Sequence, residues 1–529
     1  MAESAHLDRF VLDRLPPPEE QPEFLRPPPY DYPERLNCAA LLDRAAAKRP
    51  DATAVLWADV RWSYAELRER ADRMAGALSA LPGFTPGARV LLHGANTPWL
   101  AAAWFAVAKA GGVAVATMPL LRSAELAPVV EKAQAELALV DIGLRDAVTG
   151  AQQATGRLGT ILALGPDEEL ERLAAAQPPA FTNVDTAADD PVLIAFTSGT
   201  TGEPKGCVHA HADVLAMADG FSRHVLRPRE DEVFAGTPPL AFTFGLGALL
   251  IFPVSVGAAF AYCERPGFEA LCENIQRHGV TTLFTAPTGY RALLKLADAY
   301  DLSSLRKCVS AGEPLPAATS DAWFERTGIR IIDGIGATEM IHIFISAGPE
   351  DARPGATGKP VPGYVAEIQD EDGRPLPDGN IGRLAVRGPT GCRYLADPRQ
   401  RSYARNGWNM TGDLYRRDAD GYFWFVSRAD DLILSAGYNI AAPEVENALL
   451  SHPAVAECAV IGAPCEERGQ ICKAFVVLKA GETVDAAVLQ AHVKATIAPY
   501  KYPRAVVFVD ALPKTPTGKL QRFRLKEVA

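Results

Sequence analysis

Apolar, β-prone runs alternate with amphipathic helical patterns along the first part of this sequence. The runs cover residues 54–60, 89–93, 113–117 and 137–141, and the helical patterns include residues 63–81 and 125–135. Parallel strands need a crossover between them, so this alternation predicts largely parallel sheets with helices on their faces. Ligands of such sheets bind in the crevice beyond the carboxyl ends of the strands. We therefore expect functional residues where predicted strands end.

The pattern changes twice further along the chain. Between residues 355 and 388 short strands alternate with turn signals, which indicates a small antiparallel or barrel-like piece. After residue 428 the sequence restarts as a compact α+β unit. Its helices are predicted over residues 443–450 and 486–497, and its strands over residues 456–462 and 474–478.

The predicted fold class is α/β, with two domains. A chain of 529 residues exceeds what one hydrophobic core usually organises. We expect a large N-terminal domain over residues 1–429, built from helix-covered, largely parallel sheets plus the barrel-like subdomain. A small α+β C-terminal domain is expected over residues 430–529.

Composition excludes several classes of protein. The formal net charge is −11 and the basic residues are scattered, which argues against a nucleic-acid surface. The nine cysteines include no CxxC pair, so we expect free thiols in a reducing compartment. The first 18 residues carry acidic residues and prolines rather than a basic segment followed by an apolar one, so no secretory signal is expected. These features predict a cytoplasmic protein that binds no nucleic acid.

One uncharged stretch is long enough to cross a bilayer. Residues 240–262 carry no charge over 23 residues. Pro253 and three glycines interrupt this stretch. A helix that runs into a buried strand over residues 256–262 explains it better than a membrane span. We therefore expect no association with a membrane.

The strongest local signal is a loop of Gly, Ser and Thr that ends with a lysine. Residues 194–206 read IAFTSGTTGEPKG, an apolar strand that runs straight into this loop. Glycines let several backbone amides point at one anion, hydroxyls add donors and Lys205 adds positive charge, so the segment suits a polyphosphate. Its spacing differs from the GxxxxGK[ST] pattern of P-loop proteins. A plain solvent-exposed loop of the same composition is the alternative.

Six segments together resemble the adenylate-forming superfamily, which includes acyl- and aryl-CoA synthetases, nonribosomal peptide adenylation domains and luciferases. The first is the phosphate loop at residues 197–206. The others are residues 310–314 (SAGEP), 333–339 (DGIGATE), 411–413 (TGD), 427–431 (SRADD) and 516–519 (PTGK). Each alone has a harmless interpretation as a turn or a surface ion pair. In family order and spacing, and over nearly the whole chain, they identify the superfamily.

The resemblance implies ATP, Mg²⁺ and coenzyme A as ligands. The residues expected to bind ATP are Thr197, Ser198, Gly199, Thr200, Thr201, Lys205, Ala311, Gly312, Glu313, Pro314, Asp333, Gly334, Ile335, Gly336, Ala337, Thr338, Asp413, Arg428 and Lys519. In the family pattern Thr338 serves the α-phosphate, Glu339 holds Mg²⁺ and Asp413 accepts hydrogen bonds from the ribose hydroxyls. Many relatives have an aromatic residue at position 335, so Ile335 implies that adenine stacks on an aliphatic surface here.

The expected chemistry explains why these residue types are needed. A carboxylate is a poor electrophile, so thioester formation first requires that one carboxylate oxygen becomes part of a leaving group, here AMP. Two anions, the carboxylate and ATP, must then meet in one site. Lys519, Thr338 and Glu339, the residues assigned to catalysis by resemblance, offset their repulsion together with the loop amides. Lys519 is expected to act as an electrostatic clamp rather than as a base.

The resemblance also implies that the C-terminal domain is mobile. In relatives this domain rotates about a hinge, here at Asp430, which removes the lysine and opens a path for the pantetheine of coenzyme A. The residues expected to contact coenzyme A are Ser435, Ala436, Gly437, Tyr500 and Tyr502.

Departures from the wider family pattern narrow the acid substrate. Phe242, where many relatives carry a histidine, and residues 340–343 (MIHI) resemble the benzoate and 2-aminobenzoate CoA ligase branch. The residues expected to line a flat, mostly apolar acid pocket are Phe242, Thr243, Phe244, Ala311, Gly336, His342 and Ile343. His342 is either such a pocket residue or a packed core histidine. His209 and His211 are expected to be structural or solvent-facing.

The predicted function is that of an ATP-dependent 2-aminobenzoate (anthranilate) CoA ligase, which forms an aroyl-AMP and then the thioester. Benzoate as the acid, or the loading of an aryl acid onto a separate carrier protein, are the alternatives. The sequence ends at residue 529, ten residues after Lys519, so we expect no fused carrier. Nothing favours a luciferase-like oxidation, and a regulator without activity would not retain Lys519, Glu339 and Thr338. A downstream acyltransferase, a carrier protein and a homodimer stay open as partners.

Overall fold

Four β-sheets organise the part of the chain that the structure describes. A computed structural model describes residues 2–197, 203–435, 438–465, 467–514 and 520–527. Within these residues the first part of the chain forms a six-stranded and a nine-stranded sheet, followed by two sheets of five strands each. The α/β fold class with a half-barrel subdomain and a small C-terminal unit is thereby confirmed.

The six-stranded sheet contains three of the predicted strands at their predicted bounds. Its strands, in spatial order, are Thr160–Leu164, Leu137–Asp141, Arg89–His93, Val113–Thr117, Pro191–Thr197 and Lys205–Ala210. The first five are parallel and the last returns antiparallel to its neighbour. Strands Arg89–His93 and Val113–Thr117 are buried at every position. Burial on both faces explains why these strands read as continuous apolar runs.

The nine-stranded sheet is parallel in its centre and antiparallel at both edges. Its strands, in spatial order, are Lys359–Pro360, Ile343–Ser346, Ile331–Gly336, Lys307–Ser310, Thr282–Thr285, Val233–Gly236, Ala259–Tyr262, Thr53–Trp57 and Val60–Ser63. The single strand predicted over residues 54–60 was wrong, because the chain reverses at Ala58. This residue has a φ of 51°, a conformation that alanine rarely adopts and that leaves no trace in the sequence.

The uncharged stretch over residues 240–262 is not one continuous helix. It forms helix Thr243–Leu246, a π-helical turn Gly247–Ile251, helix Phe252–Val256 and strand Ala259–Tyr262. The predicted strand therefore begins three residues late, because Gly257, with a φ of 75°, first caps the helix in the left-handed conformation. No helix in the described part of the chain has the length and apolar character needed to cross a membrane.

Helices cover the faces of the two large sheets. Besides those already named, these α-helices are Ala40–Lys48, Tyr64–Ser79, Pro98–Lys109, Ser123–Ala133, Arg145–Thr155, Glu169–Ala175, His211–Met217, Phe268–His278, Pro287–Leu296 and Ala317–Thr327, with a π-helical segment at Ala218–Leu226. The short helix Gln400–Tyr403 instead contacts strands Ala404–Arg405 and Trp408–Arg417. Short 3₁₀ turns lie at Leu12–Arg14, Pro18–Glu20, Ile142–Leu144, Thr338–Met340, Ala429–Asp431 and Pro499–Lys501. Helix Tyr64–Ser79 begins one residue later than predicted because Ser63 is its cap: Ser63 and Glu66 form a reciprocal capping box.

The last two sheets are smaller. The half-barrel contains strands Val365–Gln369, Ile381–Arg387, Trp408–Arg417, Ala404–Arg405 and Phe423–Arg428. The C-terminal sheet contains Tyr438–Ala441, Leu432–Ser435, Gly469–Leu478, Val455–Cys465 and Ala505–Phe508, with helices Ala442–Leu450, Ala486–Thr496 and Arg522–Glu527. The apolar clusters of this unit take all their buried members from residue 433 onward. A domain boundary between residues 429 and 430 stays a prediction.

Candidate functional site

Two of the predicted nucleotide-binding segments meet at one edge of the nine-stranded sheet. Strand Lys307–Ser310 leads directly into residues 311–314, and the neighbouring strand Ile331–Gly336 carries residues 333–336. The strands are parallel, with Ser310 opposite Asp333. Both segments therefore leave the sheet at its carboxyl edge, where ligands of α/β sheets bind.

Asp333 carries an unsatisfied oxygen at this edge. Its Oδ1 atom is enclosed and has no hydrogen-bond partner within the described ranges. Burial raises the pKa of Asp333 to about 7, against a backbone hydrogen bond from Gly334 that lowers it. An enclosed acceptor without a donor is costly unless a ligand supplies one. The oxygen is suited to accept an N–H of a ligand.

The phosphate-loop candidate is anchored by two strands of the six-stranded sheet. Thr197 and Lys205 lie opposite each other at the end of an antiparallel pair, so these two residues of the candidate are held side by side. The Thr197 hydroxyl oxygen is enclosed and lacks a hydrogen-bond partner among the residues that the structure describes. The predicted residues Ser198, Gly199, Thr200 and Thr201 lie outside the described residues.

Lys205 and Glu339 are brought together by a residue that sequence reasoning missed. The Lys205 ammonium donates to the Tyr394 hydroxyl at 2.9 Å and lies 3.6 Å from Glu339 Oε1. The Tyr394 hydroxyl in turn donates to Glu339 Oε1. Burial and the charge of Glu339 raise the pKa of Tyr394 far above its ordinary value, so the hydroxyl keeps its proton. Residues 391–395 (GCRYL) contain no spacing or composition that would have marked Tyr394.

His209 supports the backbone next to Glu339. The ring is fully buried, and its Nε2 lies 2.7 Å from the carbonyl oxygen of Thr338. Asp213 lies 3.7 Å from the other ring nitrogen and forms a buried ion pair with Arg393. The expected structural role therefore fits His209, and the solvent-facing alternative is wrong.

His211 is also structural rather than solvent-facing. It is fully buried, and its Nδ1 accepts the backbone N–H of Cys38 at 3.1 Å. Burial lowers the pKa of His211 to about 3. A neutral ring is required for Nδ1 to act as an acceptor, so the low pKa and the hydrogen bond are consistent.

The predicted ribose and hinge residues are neighbours on the half-barrel. Asp413 in strand Trp408–Arg417 lies opposite Arg428 in strand Phe423–Arg428, and an ion pair of 3.0 Å joins them. Asp430 follows in the 3₁₀ turn Ala429–Asp431, which connects the half-barrel to the C-terminal sheet.

The residues predicted to contact coenzyme A are in different environments. Ser435 is buried, and Arg468 Nε lies 3.4 Å from its hydroxyl. The exposed ring of Tyr500 packs against Tyr438 with centroids 4.7 Å apart. Tyr502 is engaged inside the C-terminal unit, where it accepts a hydrogen bond from Arg504 at 2.9 Å. Ala436, Gly437 and Lys519 lie outside the described residues.

The predicted acid pocket is built around an aromatic cluster. Phe242 immediately precedes the short helix Thr243–Leu246, and Phe244 on this helix packs its ring 5.8 Å from Phe284 and 5.7 Å from His342. Thr243 and Ala311 are buried, and Gly336 is exposed at the strand end. Ile343 is buried against Gly334, where a Cβ atom would lie 2.8 Å from its side chain.

His342 is enclosed by aromatic rings. Its ring centroid lies 5.6 Å from that of Phe221 and 4.7 Å from that of Phe252, and both ring nitrogens are unpaired among the described residues. Burial lowers the pKa of His342 to about 3, against a backbone contact with Phe244 that raises it, so the ring is neutral near pH 7. Gly247 permits this position, because a Cβ atom there would lie 2.5 Å from His342 Cδ2.

Glu339 fits a magnesium ion that arrives with a nucleotide. Mg²⁺ is usually held by one or two carboxylates together with substrate phosphates and water, rather than by an all-protein cage. Across the described ranges no group of three or more His, Cys, Asp or Glu side chains could hold a metal ion by itself. The single carboxylate of Glu339, 7% exposed and next to Lys205, matches this mode of binding.

Comparison with known proteins gives the relatives of this chain. The family model described as AMP-binding enzyme matches residues 42–394, and the model described as AMP-binding enzyme C-terminal domain matches residues 444–519. The benzoate–CoA ligase of Thauera aromatica is 37% identical over 516 residues, which cover 94% of this chain and 97% of that protein.

Two solved structures share the fold over nearly their whole length. The anthranilate CoA ligase AuaEII in complex with anthranoyl-AMP matches with a TM-score of 0.90 at 37% identity, covering 94% of this chain and 98% of that one. A benzoate CoA ligase from Burkholderia xenovorans LB400 matches with a TM-score of 0.86 at 36% identity, covering 93% of this chain and 100% of that one.

Proposed function

The chain belongs to the AMP-binding enzyme family, the adenylate-forming superfamily that its motifs predict, and is an AMP-forming acid–CoA ligase; from this premise we propose that its acid is a small aromatic carboxylate. We place 2-aminobenzoate first and benzoate second. The observation that carries this choice is His342, a neutral ring with two unpaired nitrogens inside a cluster of phenylalanines. Similarity to benzoate and anthranilate CoA ligases supports it.

The proposed reaction has two steps. An oxygen of the acid attacks the α-phosphorus of ATP and pyrophosphate leaves; the thiol of coenzyme A then attacks the acyl carbon and AMP leaves. In the first step, the loop that begins at Thr197 and ends at Lys205 would cradle the phosphates, and Asp413 would hold the ribose. Magnesium bound by Glu339 would neutralise charge on the phosphates. Lys519 would bridge the two anions.

The adenine base has a candidate partner in Asp333. Its enclosed Oδ1 atom lacks a donor in the described part of the chain, and the exocyclic amino group of adenine is a donor. Ile335 on the same strand is half-buried and would contribute an aliphatic surface for the ring. These two features support the proposal that the end of strand Ile331–Gly336 binds the adenine of the nucleotide.

The acid pocket would discriminate weakly between the two acids. The ortho amino group of 2-aminobenzoate can hydrogen-bond to its own carboxylate, so the pocket needs to supply only space and one acceptor. A neutral nitrogen of His342 or the Thr243 hydroxyl can serve. Removal of the amino group then leaves little unpaired, and we expect about 10- to 200-fold discrimination in kcat/KM rather than 10⁴-fold or more. Phe244 and Ile343 would disfavour bulk on the far side of the ring.

Pyrophosphate release tests this proposal. It is measured with 2-aminobenzoate, benzoate, a para-substituted benzoate and a medium-chain fatty acid, with and without coenzyme A. We expect 2-aminobenzoate to be the best substrate, and thioester to appear only with coenzyme A. Preference for the fatty acid, or no activity with either small aryl acid, would refute the substrate class. Activity that is independent of coenzyme A but needs a carrier protein would favour the carrier-loading alternative.

His342→Phe is the matched variant for the acid pocket. It keeps a ring of similar size in the aromatic cluster and removes both nitrogens. We expect kcat/KM to fall more for 2-aminobenzoate than for benzoate. An equal fall for both acids would assign His342 to packing alone.

The C-terminal residues would act in the second step of the reaction. Residues 430–529 would be a mobile domain that turns about Asp430 between the two steps. The rearranged face would admit the pantetheine of coenzyme A beside residues 435–437, with Tyr500 and Tyr502 nearby. We propose a cytoplasmic enzyme whose partners are small molecules, and leave a downstream acyltransferase, a carrier protein and a homodimer open.

A further inference from the structure

A short antiparallel pairing brings Tyr394 against the strand that carries Lys205. The N–H of Val208 donates to the carbonyl oxygen of Arg393 over 2.8 Å, and Cys207 lies opposite Tyr394. Opposite residues of an antiparallel pair point to the same face, and side chains alternate along a strand. Lys205 is two residues before Cys207, so its side chain lies on the same face as that of Tyr394.

Tyr394 connects Lys205 with Glu339 through one hydroxyl group. The hydroxyl accepts from the Lys205 ammonium, so its single proton is available to donate to Glu339. The hydroxyl and the ammonium both approach Oε1 of the carboxylate. The ring of Tyr394 is 1% exposed and packs against Tyr403 with centroids 5.9 Å apart. The donor is therefore held in place by packing, and it orients the carboxylate by one of its two oxygens.

We propose that Tyr394 is the positioning residue that presents Glu339 to the Mg²⁺ of a bound nucleotide, by holding Oε1 in place. The proposal rests on the proposed function, because it requires an ATP site. A free glutamate side chain loses rotamer freedom when it binds a metal. A donor that fixes one oxygen beforehand reduces this loss, and hydrogen-bonded partners of metal ligands typically change metal affinity about 10- to 100-fold.

A purely structural role for Tyr394 makes a different prediction. A residue that only fills space between two strands would affect nucleotide binding equally with and without metal. Loss of a residue that positions Glu339 lowers, in addition, the part of the affinity that depends on Mg²⁺. The discriminating quantity is therefore the ratio of nucleotide affinities in Mg²⁺ and in EDTA.

The experiment measures binding of α,β-methylene-ATP by calorimetry, in excess Mg²⁺ and in EDTA. For Tyr394→Phe we expect the gain in affinity due to Mg²⁺ to fall about tenfold; an effect through Lys205, which also contacts the hydroxyl, would change affinity equally in Mg²⁺ and in EDTA and leave this gain unaltered. Equal losses under both conditions, or no loss, would overturn the proposal. A wild-type protein that binds the analogue under neither condition would refute the proposed function itself.

Three further variants sharpen the test. Tyr403→Phe removes the hydroxyl of the neighbouring buried tyrosine and keeps both rings, so the Mg²⁺-dependent gain should be unchanged. In a Glu339→Gln background, Tyr394→Phe should have no further effect on this gain, because Tyr394 acts through the carboxylate; an undiminished effect there contradicts the proposal. Tyr394→p-aminophenylalanine keeps a donor at the para position and should bind like the wild type. If Tyr394→Phe does not fold, a folded p-aminophenylalanine variant that loses the gain refutes the proposal.

Discussion

Asp333→Asn should stabilise the protein, and increasingly so as the pH rises. The ordinary pKa of an aspartate is 3.8, and burial raises that of Asp333 to about 7. Between these values the unfolded chain has lost its proton while the folded chain keeps it, so the free energy of unfolding falls as pH rises. The loss is complete above pH 7 and absent below about pH 4. Asparagine is neutral at every pH, so the Asp333→Asn variant does not undergo this loss of stability.

The size of the effect follows from the same numbers. Raising a carboxyl pKa from 3.8 to about 7 corresponds to at most about 4.5 kcal/mol, at roughly 1.4 kcal/mol for each pKa unit. Local relaxation and water reduce such penalties, so we expect about 1 to 2 kcal/mol. An unfolding entropy of about 2.1 cal/mol/K per residue over roughly 430 residues converts 1 kcal/mol into a Tm change of about 1 °C. Asp333→Asn should thus raise Tm by about 1 to 2 °C at pH 8, and by less than half as much at pH 5.

The Tm values of the wild type, Asp333→Asn and a control variant, measured by thermal unfolding at pH 5, 6, 7 and 8, test this prediction. The control is Asp298→Asn, whose carboxylate is 97% exposed and pairs with Arg326; it should not show a gain that grows with pH. A gain for Asp333→Asn that is equal at pH 5 and pH 8, or a loss at pH 8, would refute the argument from burial. Binding of an ATP analogue should survive the change, because the asparagine oxygen still accepts a hydrogen bond.

Three further changes test the proposed site. Lys519→Ala should lower the rate of adenylation by about 3 to 4 kcal/mol in activation free energy, while attack of coenzyme A on supplied aroyl-AMP persists; equal losses in both half-reactions would contradict the clamp role. Asp430→Pro should leave adenylation largely intact and stop thioester formation, because proline fixes φ at the hinge; unchanged thioester formation would place the pivot elsewhere. Gly247→Ala should destabilise by roughly 1 to 3 kcal/mol through overpacking and lower kcat/KM for 2-aminobenzoate, since the new Cβ would lie 2.5 Å from His342. If Gly247→Ala had the stability and kinetics of the wild type, the aromatic cluster around His342 would accommodate the added methyl group without loss of stability or activity.

Strands that are buried on both faces were the easiest part of the fold to predict. Residues 89–93, 113–117 and 137–141 form strands at those bounds because burial, complete in the first two and at all but Asp141 in the third, selects continuous apolar runs. Errors arose where the backbone turns without a sequence signal. The reversal at Ala58 uses a positive φ at an alanine, and Gly257 delays a strand by capping the preceding helix.

The predicted nucleotide segments could be placed from sequence because each one follows a strand. Ala311 and Gly336 stand at the ends of neighbouring parallel strands, so the topology alone brings them to one edge. Tyr394 could not be found this way. It is 189 residues from Lys205 in the chain, and their contact depends on a short tertiary pairing. Tyr403 has the same side chain nearby without that contact, so residue type carried no information.

His342 was interpreted from the sequence either as a residue of the acid pocket or as a packed core histidine. The free-energy cost of burying its ring bears on both interpretations. A leucine or phenylalanine would fill the same space among Phe221, Phe244 and Phe252 without removing two ring nitrogens from water. Each enclosed polar group without a partner costs about 1 to 3 kcal/mol, and native proteins contain few of them. His342 is thus packed like a core residue, yet packing alone does not explain why a histidine rather than an apolar side chain occupies this position. A ligand that supplies a hydrogen-bond donor would recover part of this cost on binding, which is why the unpaired ring favours an acid that carries an amino group.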